Sequence, residues 1–402
     1  MIERLPRLGT VVRLGACLAL AALPFSVALV NIGVGVVVLA ALLSQEFWDW
    51  VGTRLRHHPV ALIACLMLLM LLAGISYTDA PASDVRMYLI HYRKLLVLPL
   101  LLPFLAEERQ RVQAMQLFCI ALAVNVACSW GDFLGWSHFS LPAYDGPPGD
   151  NVFRTHITQG YLFALQVALT FALARGAQSA AARWVWGALA AMAALDIVVV
   201  MIGRTGKAVL PVLLVWFAFE CLPERLKRLR VVIVAGVAVA AVALFWIESH
   251  HPGSRIGSLT AEVQQTEATG SATSTGLRVS FYRKGLHLLR ERPWTGFGTG
   301  AVPVEMARLA AQAQGDNDRT ATINMHCEFL MWGVQFGLPG VAALVALCLA
   351  IWWRSLALPA TSGRMLRGVL LVFVSGSLVN SFLWDFTEGF ATLLAFGVLL
   401  AP

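Results

Sequence analysis

The sequence predicts an all-α polytopic integral membrane protein of about twelve transmembrane helices. Three observations predict it. Hydrophobic residues fill 58% of the 402 positions and charged residues 13%, where soluble domains average about 25% charged. Stretches near 20 residues with almost no charge recur along the chain, each long enough to cross a hydrocarbon layer about 30 Å thick. The short alternating strands of a β-barrel are not visible.

The apolar runs lie near 10–25, 27–44, 59–76, 88–106, 112–135, 157–178, 184–202, 206–222, 231–248, 323–352, 366–382 and 386–401. The opening "MIERLPRLGTVVRLGACLALAALPFS" has the charge and length of a signal peptide. However, "VALVNIGVGVVVLAALL" follows at once, so a retained helix pair is the expectation. The chain reads as a single membrane domain, 1–402, with one long loop at 249–322 between the ninth and tenth spans. Connections of that length tend to be functional or disordered. Its first part, "GSLTAEVQQTEATGSATSTG", is small and polar, a composition that predicts mobility. Its second, "LRVSFYRKGLHLLRERPWTGFGTG", spaces Leu277, Phe281 and Leu288 as an amphipathic helix does and ends at Arg292-Pro293 in a glycine-rich turn. The helix "VPVEMARLAAQAQ" follows.

With both termini in the cytoplasm, every loop on that side is basic: Arg4, Arg7 and Arg13; Arg54 and Arg56; Arg109 and Arg111; Arg175 and Arg183; Arg225, Lys227, Arg228 and Arg230; and Arg354, Arg364 and Arg367. This is the positive-inside pattern, and it accounts for most of the net charge of +7. No nucleic-acid motif accompanies that charge. Cys17, Cys65, Cys119, Cys128, Cys221, Cys327 and Cys348 are scattered, without CxxC or metal-ligand spacing, and read as small core residues. Asp145, Asp150, Asp316 and Asp318 fall outside any complete calcium-loop pattern, so no metal site is expected.

Cations on the outer side depart from the topology rule. Arg204 and Lys207 lie in the very short connection "MIGRTGKAV". They fit either a snorkelling pair at helix ends or a cationic site for a phosphorylated lipid, because arginine grips phosphate oxygens through a fixed fork of donors. Arg278 is expected in the first turn of the outer helix, where the macrodipole disfavours a cation unless an anion is near. Arg93 and Lys94 fall inside or at the edge of the fourth span, and intramembrane cations are functional candidates. Arg154 and His156 precede the sixth span, where Thr155 or Thr158 can serve as a helix cap.

In "INMHCEFLMWGVQFGLPG", residues 323–340, a continuous helix would place His326, Gly333, Gly337 and Gly340 within about 40° of one another. His326 would then share the face through which Gly333 and Gly337 pack on a neighbour. Glu328 would point about 200° away, without a role. A neutral imidazole at the outer end of a helix can act as a general base.

Taken in order, these motifs resemble the O-antigen ligase family, within a superfamily that includes O-antigen polymerases and protein O-oligosaccharyltransferases. "RTGKA" resembles its short arginine loop. "LRVSFYRKGLHLLRERPWTGFGTG" resembles its loop helix and Pro-x-x-Gly-x-Gly turn, and "HCEFLMWGVQFGLPG" its His-Asn-x-x-Leu followed by spaced glycines. Cys327 stands where asparagine is usual.

The resemblance implies a GT-C-like glycosyltransferase of the bacterial inner membrane, with its active site facing the periplasm. It would move O-antigen from undecaprenyl diphosphate to lipid A–core oligosaccharide by inverting transfer, without metal or other cofactor. His326, Arg204 and Arg278 would be catalytic; Lys207, Arg93, Lys94, Arg154 and His156 would bind substrate. Paired carboxylates with an acid/base role are not expected. The alternatives are a polymerase or protein-glycosylating relative, differing in acceptor, and a lipid or glycan transporter, which would place its polar residues near the midplane.

Overall fold

A computed structural model describes residues 8–140, 147–222, 229–232, 234–236, 274–313 and 315–401. The expectations for Arg4, Arg7, Asp145, Arg225, Lys227 and Arg228, for the ninth span beyond residue 236 and for the polar stretch through residue 273 lie outside these residues. The described residues are helical and contain no strand.

The helices are α1 (Leu8–Ala22), α2 (Val27–Leu42), α3 (Gln45–Thr53), α4 (Pro59–Ala73), α5 (Ala82–Tyr92), α6 (Val97–Leu101), α7 (Glu108–Phe133) and α8 (His156–Gly176). They continue with α9 (Ala180–Val199), α10 (Arg204–Cys221), α11 (Ser274–Glu291), α12 (Ala301–Gln312), α13 (Asp316–Arg319), α14 (Glu328–Ala357), α15 (Ala360–Ser377) and α16 (Phe386–Leu399).

Five stretches among the described residues are long and apolar enough to cross a membrane: 59–76, α7, α8, α9 and α14. The pair α2 and α3, bent by 70°, makes a sixth if taken as one span. Several other expected spans are apolar but shorter, such as α1 with 15 residues and α16 with 14. The count of about twelve therefore rests on hydropathy. Leu39, Leu69, Val198 and Trp353 are exposed on α2, α4, α9 and α14. Such outward apolar faces suit lipid, which offers backbone polar groups no partner and so favours closed helices.

Burial identifies the centre. Every residue of α8 from Gln159 to Thr170 is buried, as is every residue of α16 from Thr387 to Leu399. Around α8 pack α9, α10 and α15. At Gly160 and Gly206 the backbones of α8 and α10 meet so closely that a Cβ on Gly160 would lie 3.2 Å from the Gly206 nitrogen.

Two expected spans are not continuous helices. The run 88–106 breaks into the end of α5, a 3₁₀ turn at Arg93–Leu96 and the five-residue α6. Lys94 turns inward there, to polar partners that a lipid-facing helix would deny it.

The helix α14 is interrupted at Gly337, with φ 66° and ψ −157°. Pro339 has no N–H for the Gln335 carbonyl, and that carbonyl accepts the Gly298 N–H at 2.8 Å instead. Val334 O accepts Phe297 N–H at 2.9 Å, and Leu338 N–H donates to Pro293 O at 2.7 Å. The Pro-x-x-Gly-x-Gly turn thus docks on carbonyls and an N–H that the break releases.

Candidate functional site

His326 does not lie on α14. The helix starts at Glu328 with Cys327 extended before it, and His326 itself has φ 53°, the one non-glycine residue with positive φ among those described. Together with the break at Gly337, this removes the common glycine face expected for His326, Gly333, Gly337 and Gly340. A left-handed conformation costs a non-glycine residue about 1–2 kcal/mol, and neighbouring contacts hold it. The His326 N–H donates to Asn324 Oδ1 at 2.9 Å, and its carbonyl lies 2.9 Å from the Tyr282 hydroxyl. Its ring stacks near Phe281 at 6.3 Å between centroids, and Nδ1 lies 3.2 Å from Asn380 Oδ1. Strain held by surrounding structure is characteristic of functional sites.

Glu328 has a role after all. It is wholly buried, and its carboxylate accepts Leu383 N–H at 2.8 Å, Trp384 N–H at 3.4 Å, Tyr92 OH at 3.0 Å and Trp332 Nε1–H at 3.1 Å. Lys94, also buried, donates to the carbonyls of Trp384 and Asp385 from the other side. The turn between α15 and α16 is thereby fixed against the His326 turn.

The two turns and the start of α8 enclose an open cavity of about 270 Å³, lined by Thr155, Thr158, His326, Asn380, Asp385 and Glu388 among others. The N-termini of α8 and α16 therefore meet at one place, facing the turn that precedes α14. Each favours an anion by about 0.3–1 kcal/mol. Asp385 precedes α16 but makes no side-chain capping bond to it; its half-buried side chain lines the cavity instead. Glu388 accepts Thr158 Oγ1–H at 2.6 Å. Burial lowers the pKa of His326 below 6.5, and the Arg278 charge adds to this against the Asn380 hydrogen bond. The imidazole is therefore neutral at neutral pH and able to accept a proton.

The predicted residues divide by place. Arg278 lies one helical turn before Tyr282 on α11, near enough to His326 for its charge to act there. Arg278 is the fifth described residue of α11, and the dipole reasoning applies also to Arg204, the first residue of α10. The arginine loop packs on the start of α8, where a Cβ on Gly203 would lie 2.9 Å from His156 O. Arg204 and Lys207, both half-buried, follow Gly203 on α10 and are not among the cavity-lining residues.

Arg154 donates to Leu23 O at 3.1 Å, and its charge reaches Glu388. His156 Nδ1 lies 3.9 Å from the buried Asp150. Arg93 faces outward, whereas Lys94 is internal and acts on the Asp385–Glu388 segment. Asn380, Asp385 and Glu388 are absent from the sequence-based set. Their signal is "NSFLWDFTEGF", where two carboxylates interrupt an apolar terminus; ionisable groups in such runs are functional candidates.

Residues 187–345 match the model of a family described as O-Antigen ligase. This supports the O-antigen ligase superfamily. The matched segment contains Arg204, Lys207, Arg278 and His326, and ends before Asn380, Asp385 and Glu388. No curated protein matches the chain.

Proposed function

We propose that this protein is an O-antigen ligase. It takes O-antigen glycan from undecaprenyl diphosphate and joins it to a hydroxyl of lipid A–core oligosaccharide, at the periplasmic side of the inner membrane. The observation that carries this reading is His326, neutral and held rigid in a cavity onto which two helix N-termini open, within reach of the Arg278 charge. Chain 1–402 acts as one membrane domain with both termini cytoplasmic, and the loop helices α11 and α12 lie on its periplasmic side.

The chemistry needs a proton acceptor and an anion-stabilising environment. His326 takes the proton of the acceptor hydroxyl as its oxygen attacks the anomeric carbon. The bond from that carbon to the diphosphate oxygen breaks in the same displacement, which inverts the configuration. Negative charge grows on the leaving diphosphate, where Arg204 and Arg278, the helix N-termini and the flanking Lys207 stabilise it. Asp385 and Glu388 are hydrogen-bond acceptors for the hydroxyls of the incoming sugar. Arg154 and His156, at the mouth of α8, hold substrate between the arginine loop and the cavity. Arg93, exposed beside the buried Lys94, is a further contact for the lipid carrier.

The test is transfer by purified protein from undecaprenyl-diphosphate glycan, offered lipid A–core, a peptide or a second donor molecule. Transfer to lipid A–core is expected. Transfer to peptide alone, or chain extension alone, replaces ligase with oligosaccharyltransferase or polymerase. His326→Ala, Arg204→Ala and Arg278→Ala proteins that insert normally should each lose transfer; wild-type rates would sink the assigned site. Activity should persist in EDTA, since arginines are assigned the neutralisation of the leaving group.

A further inference from the structure

We propose that Asn380 is a positioning residue that fixes His326 in the Nδ1–H tautomer and so leaves Nε2 as its proton-accepting atom. The inference rests on the reading of His326 as base, and goes beyond it by naming the atom that reacts and the group that selects it.

Hydrogen-bond geometry carries it. A neutral imidazole has one N–H and one lone pair, and the partner of one nitrogen decides the other's state. The partner of Nδ1 is Asn380 Oδ1, at 3.2 Å. An asparagine side chain can ordinarily be turned end for end, but here the backbone decides. The same Oδ1 accepts the Ser381 N–H at 3.1 Å. A backbone N–H can only donate, so the atom facing it must be the oxygen. An oxygen there can only accept from His326, so Nδ1 must carry the proton. Asn380 is itself 2% exposed, and its turn is clamped by Glu328 on Leu383 N–H and Lys94 on Trp384 O. The amide therefore has little freedom to follow a ring that rotates.

Charged and titratable groups face this ring from two elements: Arg278 and Tyr282 from α11, and Asp385 and Glu388 at the start of α16. Among the described residues none of these groups hydrogen-bonds the ring, so Asn380 is the group placed to select the tautomer.

The experiment pairs a spectroscopic reading with kinetics on full-length protein in detergent. In ¹⁵N-histidine-labelled protein, with His326→Gln used to assign the signal, His326 should show Nδ1 protonated and Nε2 bare at about pH 7.5. Asn380→Ala should abolish that preference and lower the maximal transfer rate at least about tenfold, short of the roughly 100- to 10,000-fold typical of a general base, while the acceptor KM holds. Asn380→Asp keeps an acceptor oxygen, so it should keep the tautomer and move the acid limb of the rate profile to higher pH. An unchanged tautomer in Asn380→Ala overturns the inference whatever the activity. A lost tautomer with undiminished transfer overturns His326 as base, and this inference with it. Because the signal is read without substrate, the two failures are distinguishable.

Discussion

Glu328 accepts the Leu383 N–H at 2.8 Å and so joins the first residue of α14 to the turn that carries Asn380 and Asp385. His326 and the final turn belong to distant parts of the chain, and this carboxylate fixes their separation. Glu328→Ala would orphan donors from Tyr92, Trp332 and Leu383, whereas the Trp384 N–H keeps the Ser381 carbonyl at 3.0 Å. Each buried orphan costs about 1–3 kcal/mol. A loss of at least about 3 kcal/mol is expected, read as a lower thermal midpoint in detergent. Glu328→Gln, which retains an acceptor oxygen, should lose less. Wild-type melting of the alanine variant would remove Glu328 from this role.

The break in α14 makes a second prediction. A Cβ on Gly337 would meet Pro293 O at 2.4 Å, at a φ of 66° that disfavours any L side chain. Gly337→Ala should therefore undock the 293–300 turn and destabilise the protein by at least about 2 kcal/mol. At Gly333 the nearest atom to an added Cβ is a Val341 methyl at 3.2 Å, which a small side-chain shift relieves. Gly333→Ala should melt near wild type. Limited proteolysis of the 293–300 turn separates the two variants, and equal sensitivity would contradict the docking described here.

The contrast between these two glycines shows what the sequence could reveal. Long uncharged runs place helices well: 112–135, 157–178 and 184–202 are found as Glu108–Phe133, His156–Gly176 and Ala180–Val199. Hydropathy does not register breaks inside such runs, because Gly337 and Lys94 depart from the pattern by one residue each. His326 was legible as a polar residue at the end of an apolar helix. Its left-handed backbone was not, since that depends on Tyr282, Asn324 and Asn380. Asn380, Asp385 and Glu388 stayed hidden because only tertiary packing brings the last turn onto a loop more than 50 residues earlier.

Asp150 gives a third prediction. Its buried carboxylate accepts the Ile202 N–H at 2.8 Å, two residues before Arg204. Asp150→Ala should let the arginine loop shift. A displacement near 1 Å is worth about 100-fold in rate when reacting groups are misplaced, so a 10- to 100-fold fall is expected. The proposed role of Arg204 puts that loss on the donor, with a raised donor KM and an unchanged acceptor KM. Asp150→Asn keeps an acceptor oxygen for Ile202 and should recover most of the activity. A loss borne by acceptor KM instead would detach this loop from the diphosphate.

The pH profile follows from the surroundings of His326. Burial is the largest influence holding its pKa below 6.5; Arg278 adds to it, and the Asn380 bond opposes it. A lowered pKa means that the proton-accepting form persists further into acid. Transfer should therefore be level from about pH 8 to pH 7 and fall only below 6.5, approaching tenfold per unit once the ring is mostly protonated. Arg278→Gln removes a cation that disfavours the imidazolium. The acid limb should then move to higher pH, while the plateau drops because the leaving diphosphate loses a partner. Arg278→Lys keeps the charge and should keep the limb in place, even if a single ammonium holds phosphate less well than the guanidinium fork. Transfer rates measured across pH at saturating donor and acceptor check both. A limb that stays fixed in Arg278→Gln would show that the titrating group is not His326.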